Sequence, residues 1–97
     1  MQMKADQPPE KSQSLNSGGD GSSMERAVVI NAENSPAGIR AEYEYIARLY
    51  GRRNIDWRLI RQFIINCEGR YYDVLRICLS NGEEKPVWFD INSFFGK

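Results

Sequence analysis

The sequence predicts an α+β domain of order β-α-β-β-β, with one amphipathic helix packed on a mostly antiparallel sheet of three to four strands. Three observations predict it. "SPAGIRAEYEYIARLYG" carries helical spacing flanked by helix start and stop signals. After it, the apolar runs "RYYDVLRICL" and "KPVWFDI" are separated by "SNGEE", in which Asn81-Gly82 is a strong hairpin signal. Before it, Ala27–Ile30 is a short apolar run that suits a buried strand.

The domain is expected to span residues 24–97. The first 23 residues, "MQMKADQPPEKSQSLNSGGDGSS", are poor in apolar side chains and rich in Ser, Gly, Gln and Pro. Such a segment buries too little apolar area to offset its ordering entropy, so a disordered tail is expected there. Its scattered Met1, Met3 and Leu15 do not form the apolar core of a signal peptide. With no apolar run long enough to span a membrane, the expected compartment is the cytoplasm.

Each element has its own reason. In the helix, Ser35 suits the N-cap and Pro36 the first turn, where no donor is needed. Ile39, Tyr43, Ile46 and Tyr50 fall on one face with Leu49 beside them, and Gly51 is a natural stop. The next stretch, "DWRLIRQFIINCEG", carries two periodicities. As a helix it aligns Trp57, Ile60, Phe63, Ile64 and Cys67. As a strand it aligns Trp57, Leu59, Phe63 and Ile65, and its three isoleucines, Trp and Phe favour the strand.

If "CEG" and "SNG" are both three-residue loops ending in a left-handed Gly, one register results. It puts Trp57, Leu59, Phe63, Ile65, Tyr71, Leu75, Ile77, Val87, Phe89 and Ile91 on a single face, the natural bed for the helix. "VWFDI" is then the last strand, and Phe94 and Phe95 are expected to plug one end of the core or to edge the outer face.

Composition limits function. The chain has 13 basic and 13 acidic residues, so no large single-sign field steers it to nucleic acid or membrane. It has two cysteines and no histidine, which removes a Cys–His nucleophile and leaves too few ligands for a zinc site. Cys67 and Cys78 fall too far apart along a hairpin to be bridged. No catalytic residue, cofactor or metal is expected.

Three groups of residues remain as candidates. The outer face of the sheet is less polar than a solvent face, carrying Ile60, Ile64, Tyr72, Val74, Arg76 and Trp88. A patch of this kind marks a binding surface for a second copy or a protein partner, and this non-catalytic interaction module is the leading reading. Alternatively, if residues 56–67 are helical, helix, second helix and hairpin resemble a winged helix-turn-helix. Arg52, Arg53, Arg58 and Arg61 would then face nucleic acid, although the wing carries Glu83 and Glu84. The third reading is an enzyme. Arg61 and Asp73 fall inside the expected core face, as a structural ion pair or as a polar slot for a substrate.

Overall fold

A computed structural model describes residues 16–97. Five strands form one sheet: β1 (Asn16–Gly18), β2 (Val28–Ile30), β3 (Trp57–Cys67), β4 (Arg70–Leu79) and β5 (Glu84–Asp90). One helix, α1 (Ser35–Tyr50), crosses from β2 to β3. The α+β class and the element order from β2 onward agree with the sequence. The sheet is larger than expected and mixed, ordered β1-β2-β5-β4-β3.

The mixed pairing follows from parity. The helix carries the chain back, so β3 runs parallel to β2; two hairpins reverse it twice, so β5 is again parallel to β2. β2 therefore lies beside β5, with Val28 opposite Phe89. Its interior place suits an apolar run: Val28 is 1% exposed and Ile30 is fully buried.

The expected boundary at Met24 moves toward the N-terminus. Asn16–Gly18 pairs antiparallel with β2. Gly19 donates its N–H to the Ala27 carbonyl (3.0 Å), and Gly21 accepts the Trp88 N–H (2.8 Å). Glycines that read as linker are here what close backbone approach requires. A Cβ on Gly19 would lie 2.2 Å from the Arg26 carbonyl oxygen. Residues 1–15 of the expected tail lie outside the described residues.

Asn34, rather than Ser35, caps α1, its Oδ1 accepting the Ala37 N–H at 2.9 Å. Gly51 ends it as expected, donating to the Ala47 carbonyl at 2.9 Å. The buried face is Gly38, Ala41, Glu42 and Ile46, while Ile39 (43%) and Leu49 (54%) are exposed. Of the expected stripe, Ile46 is buried and Tyr43 and Tyr50 pack against the core, whereas Ile39 and the flanking Leu49 face solvent. The cause is the C-terminus: Phe94 packs directly on Gly38, where a Cβ would come within 2.4 Å of its ring. Phe94 is 3% exposed, and Phe95 stacks on Tyr71 with ring centroids 4.3 Å apart. Ser93 Oγ donates to the Ile30 carbonyl (2.7 Å), and Asn92 Oδ1 accepts the Tyr71 N–H (2.9 Å). The C-terminal turn therefore closes the core on the helix side and not over the outer face.

β3 is a strand along its whole length, so the second helix required by the winged-helix reading is replaced by sheet. The β4–β5 register is the expected one, with Leu75 opposite Val87 and Asp73 opposite Phe89. The β3–β4 register agrees only at its start, where Trp57 faces Leu79 and Leu59 faces Ile77. A bulge then makes Ile60 an extra residue, and the turn is two residues, Glu68-Gly69, both at positive φ (53° and 85°). From Arg61 to Cys67 every side chain is therefore flipped relative to expectation.

Candidate functional site

The flip rebuilds the outer face. Reading across strands, Phe63, Val74 and Trp88 form one row, and Ile65, Tyr72 and Asp90 the next. A third row is Arg61, Arg76 and Pro86, and a fourth is Arg58, Cys78 and Glu84. Of the expected patch, Tyr72, Val74, Arg76 and Trp88 do share this face. Ile60 is displaced into the bulge. Ile64 turns to the helix side opposite Asp73, and Phe63 and Ile65 take the vacated places. The two-residue turn was the signal for Phe63 and Ile65, but "CEG" fits a three-residue loop equally well by composition.

The helix and the C-terminal turn both lie on the other side, so this face has no second layer among the described residues. Its centre is nevertheless tightly packed by its own neighbours. Val74 is 1% exposed between Phe63 and Trp88, and Tyr72 meets Trp88 edge-on at 6.1 Å. Phe63, at 40% exposed, remains open to solvent. Arginines rim the patch: Arg76 pairs with Glu84 (3.5 Å) and Arg70 with Asp90 (2.6 Å). Burial opposes the charge on Asp90, but hydrogen bonds from Asn92 and Arg70 outweigh it and hold the carboxyl below its ordinary range.

The second open feature is the free edge of the sheet. Among the described residues β3 has β4 on one side only. The parallel bridge of Arg53 with Trp57 and the Asn54 N–H to Trp57 carbonyl bond (2.6 Å) cover just its first residue. Ile60 (39%), Phe63 (40%) and Ile64 (47%) are exposed along it. A long, exposed, apolar edge strand is a template for pairing with another chain.

The expected Arg61–Asp73 pair does not form. Arg61 is exposed on the outer face opposite Arg76, because the bulge reverses it. Asp73 is buried on the helix side, where Gln62 Nε2 donates to both its oxygens at 2.9 and 3.1 Å. The other polar group at that position is Glu42 of α1, fully buried. No donor among the described residues reaches either of its oxygens. Asp73 is an acceptor, so the two carboxyls bond only when one holds a proton. Burial, and then the hydrogen bond and charge of Asp73, push the Glu42 carboxyl up to about 10. Both carboxyls are sealed between helix and sheet, Glu42 fully buried and Asp73 3% exposed.

The four arginines of the nucleic-acid reading are not brought onto one element. Arg52 and Arg53 are in the turn after α1, with the Arg53 guanidinium over the Tyr43 ring at 4.7 Å. Arg58 and Arg61 are on the outer face of β3. Both cysteines are free, and no group of three or more metal-ligating side chains occurs among the described residues. A pocket of about 450 Å³ at the end of β3 includes Asp56, Arg58 and Cys78. Asp56 there accepts the Arg52 N–H (2.7 Å), and the chain has no histidine to activate the thiol. No helix of the described residues is long and apolar enough to cross a membrane. No family model, no curated protein and no solved structure matches this chain.

Proposed function

We propose that this chain is a non-catalytic interaction module that binds another polypeptide, a second copy or a protein partner, through the uncovered sheet face and its β3 edge. The observation that carries the reading is the Phe63–Val74–Trp88 row, apolar and aromatic, flanked by arginines and without a covering layer among the described residues. Trp, Tyr and Arg are the residues that most often dominate binding energy at interface centres.

Trp88→Ala and Phe63→Ala each truncate this row. They are expected to weaken association by about 1–3 kcal/mol while leaving the circular dichroism spectrum intact. Sedimentation of the chain alone, with affinity capture of partners, is the test. A chain that stays monomeric at high concentration and captures nothing sensitive to these substitutions contradicts the reading.

A further inference from the structure

We infer that the occupant of the β3 edge is a second copy of this chain, paired antiparallel about Ile64. The inference rests on the reading of this surface as an interaction site and names its partner.

The regular part of the edge is bounded on both sides. The bulge at Ile60 interrupts pairing before Arg61, and the Glu68-Gly69 turn ends it after Cys67. Seven residues remain, with Ile64 at their centre. Hydrogen-bonded pairs alternate along an antiparallel ladder, starting from the pair that closes a two-residue turn. Cys67, Ile65, Phe63 and Arg61 therefore direct their N–H and C=O groups to β4. Gln62, Ile64 and Asn66 direct theirs outward, where β3 has no neighbouring strand among the described residues.

A two-fold axis at Ile64 uses all of these groups. Ile64 exchanges both backbone hydrogen bonds with its symmetry mate, and Gln62 exchanges both with the copy's Asn66. On the outer face Phe63 meets the copy's Ile65, so the row Trp88–Val74–Phe63 continues into Ile65 and Tyr72 of the second sheet. The exposed apolar side chains Phe63 and Ile64 are both covered. Charge agrees as well. Arg61 is the only charged residue in the seven, and it falls opposite the copy's Cys67, next to the copy's Glu68. Across the seam between the copies no like charges stand face to face. The result is a continuous ten-stranded sheet with both β3 edges closed.

The test uses the full chain. Sedimentation velocity over a concentration series is expected to show a monomer–dimer equilibrium. Ile64→Lys places two ammonium groups on the axis and is expected to raise the dissociation constant about tenfold or more, with an unchanged circular dichroism spectrum. In a Cys78→Ser background, Arg61→Cys sets a thiol opposite the copy's Cys67 in a non-hydrogen-bonded pair. The Cα separation there is about 4.5 Å, within disulfide range. Diamide oxidation is then expected to give a covalent dimer, whereas Arg58→Cys gives none. A monomer at all concentrations overturns the inference, as does cross-linking from Arg58→Cys as readily as from Arg61→Cys. A dimer that Trp88→Ala dissociates and Ile64→Lys does not also overturns it, while leaving the binding-module reading intact. A monomer with no captured partner removes both.

Discussion

Glu42 is the residue whose chemistry is least expected from its position in the chain. It falls within a helix whose other glutamate, Glu44, is exposed, yet it is fully buried against Asp73. In the folded state its carboxyl titrates at about 10, against an ordinary value of 4.5. Between those values the native state holds a proton that the unfolded chain releases, so stability falls as pH rises. The slope from this group is at most about 1.4 kcal/mol per pH unit, flattening below the lower value and above the upper. Glu42→Gln removes the proton requirement and keeps a donor for Asp73. It is expected to stabilise the fold by on the order of 1–3 kcal/mol at neutral pH and to flatten the alkaline side of the profile. Urea melts across pH check this; a variant less stable than the parent at neutral pH, with the slope retained, contradicts it.

At the scale of elements, the helix is held by small residues. Gly38 lets Phe94 lie directly against the α1 backbone. Gly38→Ala is expected to cost about 1–3 kcal/mol by overpacking. Phe94→Ala is expected to cost about 3–5 kcal/mol by opening a cavity. Because the two groups touch, the double variant should be less destabilised than the sum, which a double-mutant cycle measures. This contact also explains what was legible in the sequence. Ile39 and Leu49 are large and apolar, so periodicity assigned them inward. The inward face is instead chosen by the side that admits Phe94, information held 56 residues away. The second hairpin was readable because a three-residue Ser80-Asn81-Gly82 loop, unlike a two-residue Asn81-Gly82 loop, gathers the apolar residues of both strands on one face. The first was not, because its register depends on a bulge at Ile60 that no residue type announces. The Arg61–Asp73 pair failed with it, and Phe63 and Ile65 moved to the outer face for the same reason. β1 was missed because glycines that permit close packing have the composition of a linker.

For the whole molecule, the uneven layering matters most. Among the described residues one helix covers one face of a five-stranded sheet, and an aromatic row on the other face and a seven-residue edge have no neighbour there. Small domains have little apolar area to spare, and the proposed association would cover this exposed area. The same edge can be followed amide by amide. Residue-resolved hydrogen exchange by NMR, at low and at high protein concentration, is the sharpest test of pairing through this edge. In the dilute sample the amides of Phe63, Ile65 and Cys67, bonded to β4, should be protected, and those of Gln62, Ile64 and Asn66 should exchange freely. On concentrating, Gln62, Ile64 and Asn66 should become protected together. Free exchange of those three amides at every concentration, with the β4-bonded amides still protected, would contradict pairing through this edge.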